Sequence, residues 1–416
     1  MAVADGEILD VGPAAEVLRR HVGAVQTDLG AVILAPGLVD VHCHLEWALA
    51  GGVAHGPGFG AWLGRFLAVM RGQPPEHHDV AAAHGALMAL RSGTTSLCDN
   101  GPLGAGVRAC HAAGLRATVC VEAFGDDPQR AEAAAAAVRA LEAEATGHVR
   151  VGVSPHAPYS VGPGLWGAMA AHPELVGRAW STHIAESPDE CRALRSGDGP
   201  LADTLRRWGG APAVWDGPPD AAPVARLAAA GALRAGMVAA HCVQLDARDA
   251  ATLAAADVRV AHCPSSNAHI GVGVMPLALL WDAGVAVGLG SDSPGSGGAF
   301  DGRAAARACA LVHARAGAVL TPERMVRMAT LDGARVLGLD SRVGTLEPGK
   351  RADMVAVRPA AGAVGPGDPH ELFLRADAAV CRVWVDGVAR LRDGAAVDLD
   401  EAAISRRADE VLATLC

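Results

Sequence analysis

His42 and His44 stand one residue apart at the end of the run Pro36-Gly37-Leu38-Val39-Asp40-Val41-His42-Cys43-His44. Side chains on a strand alternate faces, so the two imidazoles point to one side and Cys43 to the other. Neutral imidazoles on one face can share a metal ion. An isolated pair of this kind is more simply two core or surface histidines, and only the rest of the chain can decide. Polar residues recur at the ends of other apolar runs: Asp99-Asn100, Ser154-Pro155-His156, Thr182-His183-Ile184-Ala185-Glu186, His241-Cys242, His262-Cys263 and Ser291-Asp292. Packing does not require histidines in such a series. His42, His44 and His183 offer nitrogen ligands and Asp292 an anionic oxygen, a set for one divalent metal. It suits Zn²⁺ first, and Fe²⁺ or Mn²⁺ also accept it. A catalytic cation with an open position lowers the pKa of water from about 16 to near 7. His241 falls at the end of the next run after His183 and can hydrogen-bond such a water. Glu186, three residues past His183, can protonate a ring nitrogen of a bound heterocycle. Taken singly, Asp292 is also a turn residue, Glu186 a helix N-terminal carboxylate and His241 a buried structural histidine. Taken together they point to a hydrolase.

These residues need a scaffold that brings many strand ends to one place. Eight apolar runs are candidate strands: Leu38–Cys43, Thr94–Asp99, Arg116–Glu122, Val149–Pro155, Ala179–Ile184, Val238–Val243, Val258–Cys263 and Val285–Ser291. Ala-rich amphipathic segments lie between or after them, among them Asp79–Arg91, Arg130–Glu144, Arg303–Ala316 and Pro322–Leu337. Alternating strands and helices predict an α/β fold with a parallel sheet, and eight units over this length predict a (β/α)₈ TIM-type barrel. An open doubly wound sheet would need a Gly-rich nucleotide turn after its first strand, and none is there. The β-rich ends, residues 1–36 and 343–416, predict a small composite β-sandwich with a C-terminal helix, leaving residues 37–342 as the catalytic barrel. The long loop Ala48–His78 follows the first barrel strand. It could cover a ligand or merely cap the barrel.

Composition narrows the class. The chain has 416 residues, 51% hydrophobic, with a net charge of -10, which leaves no basic footprint for nucleic acid. Neither a secretory signal nor a membrane-length apolar run is visible, so a cytoplasmic protein is expected. The 10 cysteines are scattered and read as small core residues. The expected partner is a small heterocyclic molecule, and a homo-oligomer is compatible with the class.

The motifs together resemble the metal-dependent amidohydrolase superfamily, in its cytosine-deaminase and chlorohydrolase-like branch. The carriers are Pro36 to Glu46, Ser154-Pro155-His156-Ala157-Pro158-Tyr159-Ser160, His183-Ile184-Ala185-Glu186-Ser187, Ala240-His241-Cys242-Val243, His262-Cys263-Pro264-Ser265-Ser266-Asn267 and Gly290-Ser291-Asp292-Ser293. The terminal Gly344-Thr345-Leu346-Glu347-Pro348-Gly349-Lys350-Arg351-Ala352-Asp353 belongs to the same pattern. The resemblance implies one metal on His42, His44, His183 and Asp292, with Glu186, His241 and Asp292 handling protons. Lys350 is the only lysine, far from the fourth strand, so a carbamylated-lysine two-metal centre is not expected. Within the branch the chain looks most like adenine-nucleoside deaminases of the aminodeoxyfutalosine type, which implies substrate contacts by Glu46, Trp47 and His156. The same site could instead act on guanine, cytosine, a triazine C–Cl bond or a cyclic amide. A barrel without activity would serve as a scaffold. The loop Ser293–Asp301 is rich in glycine where relatives of the family usually carry an Asn near position 297, which leaves the substrate more open than the reaction.

Overall fold

The chain begins outside the parallel strands of the barrel. Strands β1 (Ala2–Ala4) and β2 (Glu7–Asp10) form an antiparallel hairpin, and β3 (Ile33–Pro36) follows. The computed structural model describes residues 1–54, 56, 58–217, 221–360 and 367–415. Positions 55 and 57 of the long loop, 218–220, and 361–366 and 416 of the C-terminal segment, lie outside the described residues.

All eight expected barrel strands are present: β4 (Leu38–Cys43), β5 (Thr94–Gly101), β6 (Arg116–Ala123), β7 (Val149–Pro155), β8 (Ser181–Ile184), β9 (Val238–His241), β10 (Arg259–His262) and β11 (Val287–Leu289). Each is buried, and a sheet buried on both faces explains their nearly continuous apolar sequences. Two parallel four-stranded sheets result, β4-β5-β6-β7 and β11-β10-β9-β8. Isolated parallel bridges link the halves at both seams, Val153 to Trp180 and Cys43 to Asp292. The second seam is also tied by Asp292 N–H donating to the His42 carbonyl at 2.9 Å and His44 N–H to the Asp292 carbonyl at 3.1 Å. The seam between first and last strands therefore runs through the predicted ligands. This is the α/β barrel expected from the sequence, joined at its seams by bridges and not by long ladders.

Helices cover the outside as predicted, with one difference. The segment expected as a single helix over Pro322–Leu337 is two, Pro322–Met328 and Leu331–Val336. The break frees the Ala329 carbonyl, which accepts from Val39 N–H at 2.9 Å, and turns Gly333 onto β4, where a Cβ would lie 3.1 Å from Val39.

Strands β12 (Met354–Arg358), β13 (Ala379–Val385), β14 (Val388–Arg392) and β15 (Ala395–Ala396) join β3 in an antiparallel sheet of order β15-β14-β13-β12-β3. The two ends of the chain thus meet in one sheet. The β1–β2 hairpin docks beside it through Ile8 N–H to the Lys350 carbonyl and Ala352 N–H to the Gly6 carbonyl, both 2.8 Å. Arg116, at the start of β6, links this layer to the barrel. Its buried guanidinium donates to both oxygens of Asp353 at 3.1 and 3.2 Å and to Asp386 at 2.7 Å. Arg116→Ala would leave the Asp353 carboxylate buried without its cation, and we expect it to lower unfolding free energy by about 3–5 kcal/mol in denaturant titration. A loss below about 1 kcal/mol would mean that the pair is not what ties the layers. Among the described residues no helix is long and apolar enough to cross a membrane.

Candidate active site

On β4, Asp40 and His42 face the barrel interior together, as the strand period requires, and His44, just past the strand end, joins them at the mouth. Asp40 accepts from Ser291 N–H at 3.0 Å and Ser291 Oγ–H at 2.5 Å, which fixes the residue before Asp292. Burial pushes the Asp40 carboxyl up to about 6 against the pull of those bonds. His44 and His183 are held alike. His44 Nδ1–H donates to the Asn100 carbonyl at 2.9 Å and His183 Nδ1–H to the His156 carbonyl at 2.7 Å. Carbonyls only accept, so the hydrogen of each neutral ring sits on Nδ1 and the lone pair on Nε2. Burial holds both rings neutral by pulling their pKa values below the usual histidine range, His183 far below it. The two Nε2 atoms nevertheless face each other at 3.2 Å. Two lone pairs at that distance in a buried site repel, and a cation between them would turn the contact into an attraction.

Other donors converge on the same point. Asp292 Oδ1 lies 3.6 Å from His44 Nε2. His42 Nε2 is buried without a hydrogen-bond partner, and its ring centroid is 4.8 Å from those of both His44 and His183. The Asn100 amide meets His42 Nδ1 at 3.1 Å through Nδ2 while its own Oδ1 has no partner. The same Nδ2 also donates to the Cys43 carbonyl at 3.4 Å. Ligand atoms of His42, His44 and Asp292 lie within 4.8 Å of one another, as do those of His42, His183 and His241. Neutral imidazoles plus one carboxylate are a fitting donor set for zinc or a similar divalent ion.

The residues expected to handle protons border this cluster. His241 Nε2 is 3.9 Å from Asp292 Oδ2 and 3.7 Å from Glu186 Oε1. Burial, reinforced by the Asp292 and Glu190 carboxylates, pushes the Glu186 carboxyl well above its usual range. Four non-glycine residues here take left-handed backbone angles: Ala185 (φ +52), His241 (φ +71), Cys242 (φ +47) and Asp292 (φ +59). Such conformations cost about 1–3 kcal/mol each and persist only when surroundings enforce them. Glu190 enforces the first, its two oxygens accepting from Ala185 N–H at 3.0 Å and Glu186 N–H at 2.7 Å. The carbonyl of Ala185 in turn accepts from Val243 at 2.9 Å and Gln244 at 2.8 Å, fastening the β8 loop to the β9 loop.

The residues expected to contact a substrate take different places. Glu46 is not free to touch a substrate. Its carboxylate is wholly buried and accepts from Leu103 N–H at 3.1 Å and Ala105 N–H at 3.0 Å, holding the loop after β5. Trp47 packs on Phe66 and His78, with centroids 5.3 and 5.1 Å away, in an apolar cluster under the long loop. His156 lies beside the cluster. Only partly buried, it sits 4.8 Å from the His183 ring, against Phe124, with Nδ1 2.7 Å from Ser160 Oγ. His262 does not join the cluster, since it turns outward to His313 Nε2 at 3.1 Å. The long loop contains a helix, Phe59–Met70, laid across toward the last strands. Trp62 Nε1–H donates to the Gly295 carbonyl at 3.0 Å, and a Cβ on Gly60 would come within 2.5 Å of the Leu201 backbone. At Gly297 (φ +83) any side chain would strike the His269 ring, so glycine there goes with the histidine facing it.

Two interior residues escaped the sequence reading of the site. Glu122, near the end of β6, is buried 3.8 Å from His44 Nδ1, with one oxygen unpartnered. Asn267 meets His241 Nδ1 at 2.9 Å. Glu122 ends its predicted strand on the same face as Cys120, a signal that strand alternation could have supplied.

Comparison with known proteins agrees with this geometry. The family model described as "Amidohydrolase family" matches residues 33–390. A 5-methylthioadenosine/S-adenosylhomocysteine deaminase of Desulforudis audaxviator is 30% identical, over 98% of this chain and 93% of the relative. A 5'-deoxyadenosine deaminase of Methanothermobacter thermautotrophicus is also 30% identical, over 92% of this chain and 87% of the relative. Among solved structures, an adenosine deaminase from Xanthomonas campestris with bound zinc superposes with a TM-score of 0.83 at 26% identity, covering 99% of this chain and 92% of that one. With barrel, seam and histidine cluster in the order the sequence motifs imply, and a family match over most of its length, the chain belongs to the amidohydrolase family.

Proposed function

We propose that the chain is a metal-dependent hydrolase that removes the amino group from the adenine ring of a nucleoside, with His42, His44, His183 and Asp292 as metal ligands and zinc as the metal. The observation that carries this reading is the pair of His44 and His183 Nε2 atoms facing each other at 3.2 Å, beside the buried Glu186 and His241. That arrangement supplies both a cation site and the proton carriers hydrolysis needs. The zinc in the Xanthomonas deaminase supports the choice of metal, and the relatives' names support adenine as the base. The same reading divides the chain into a catalytic barrel, residues 37–342, and a terminal β unit, residues 1–36 with 343–416.

A divalent cation held here supplies the positive charge that makes water acidic enough to attack at neutral pH. Asp292 and His241 take the proton from the attacking water. Glu186 gives its proton to the ring nitrogen beside the attacked carbon, which makes that carbon electrophilic, and regains one before the amino group leaves. The balance is adenine C–NH₂ plus water giving C=O and ammonia. His156 offers a polar edge and an apolar face to base or sugar.

The two relatives' names share an adenosine altered at its 5 position, and the sequence motifs favour aminodeoxyfutalosine, which is altered there too. We therefore propose an adenine nucleoside substituted at the ribose 5′ carbon, with aminodeoxyfutalosine first. The test is ammonia release by zinc-loaded protein from aminodeoxyfutalosine, 5'-deoxyadenosine, methylthioadenosine, S-adenosylhomocysteine, guanine, cytosine and a chlorotriazine. Turnover of the adenine nucleosides above the rest is expected. Preference for guanine, cytosine or the triazine would refute the substrate class.

A further inference from the structure

The motif His262-Cys263-Pro264-Ser265-Ser266-Asn267 has so far no part in the chemistry. His262 turns outward, but Asn267 turns inward. It lies on the helix Pro264–Ile270, buried, with Oδ1 2.9 Å from His241 Nδ1. Its backbone is held at both ends: Asn267 N–H donates to the Cys263 carbonyl at 3.0 Å, and its own carbonyl accepts from Gly271 and Val272 N–H, each at 3.1 Å.

We propose that Asn267 is a positioning residue that holds His241 in the tautomer with its hydrogen on Nδ1. An amide oxygen can only accept, so the ring must present N–H to it, and the lone pair falls on Nε2. That atom faces Asp292 Oδ2 and Glu186 Oε1, where a proton has to be taken up. The other tautomer points N–H into the site and cannot accept a proton. The choice is not left to the rest of the pocket. The nearby rings of His42 and His183, with centroids at 5.7 and 5.5 Å, make no hydrogen bond to His241 Nδ1 that would select a tautomer, and the left-handed backbone at His241 and Cys242 sets only where the ring starts. Asn267 Nδ2 is buried without a partner, so nothing else in the described residues binds the amide, and its contact with His241 is its only side-chain hydrogen bond.

This inference rests on the reading of His241 as proton acceptor, but its main readout does not need substrate. In protein carrying heavy-nitrogen-labelled histidine, the His241 signals are identified by their absence in His241→Gln. Wild type is expected to show a neutral ring protonated on Nδ1, Asn267→Asp the same, and Asn267→Leu a shift toward Nε2 protonation. With zinc content equal, Asn267→Leu should lower kcat by about 10²-fold with KM changed less than about twofold, and Asn267→Asp should restore most of it. Nε2 protonation in wild type, an unchanged tautomer and kcat in Asn267→Leu, or an equal fall in Asn267→Asp would each overturn the proposal. Asn267→Asp and the wild-type tautomer keep the test decisive if the leucine variant does not fold. Failure of wild type to release ammonia, with His241 still protonated on Nδ1, would refute the substrate reading and leave this assignment standing.

Discussion

Glu186→Gln lowers turnover by at least ~10²-fold while zinc content stays at the wild-type level. Glutamine keeps the shape and can still hydrogen-bond, but it has no proton to give and take back. The residue lies 3.7 Å from His241 Nε2, and burial pushes its carboxyl well above the usual range. Steady-state kinetics on 5'-deoxyadenosine with metal analysis of the same sample measures this. A rate within about threefold of wild type would mean that Glu186 is a buried carboxyl without a catalytic part.

His44→Ala acts on the other half of the site. Removing one of the two facing Nε2 atoms leaves His183 with no partner across the 3.2 Å gap and takes away an inward nitrogen donor. Zinc affinity, measured by competition with a chelator, should fall by more than ~10²-fold, beyond the 10–100-fold typical of residues that only orient a ligand. Because a cation that binds only the folded state stabilises it, excess zinc should raise the melting temperature of wild type and not of His44→Ala. Equal zinc affinity in the two proteins would remove His44 from the ligand set.

The sequence showed all eight barrel strands because parallel strands buried on both faces are written as short apolar runs between polar ends. For the same reason it could not tell inward from outward. His241 and His262 both end such runs, yet the first faces the barrel interior and the second His313. Glu46 misled for a related cause. It follows His44 by two residues, which on a strand would place it on the same face, but β4 ends at Cys43 and the 3₁₀ turn Leu45–Trp47 swings it to the backbone of Leu103 and Ala105. Asn267 was visible only as part of a motif, because its meaning depends on a contact across 26 positions of chain. The split of the expected helix over Pro322–Leu337 likewise comes from a tertiary bond, Val39 to Ala329, that local propensity does not encode.

The most direct test is product analysis after incubating zinc-loaded protein with 5'-deoxyadenosine in water enriched in heavy oxygen. The account predicts stoichiometric ammonia and a deaminated nucleoside carrying one labelled oxygen, both abolished by a chelator and restored by zinc. An unaltered nucleoside, or deamination that proceeds equally without metal, would contradict it.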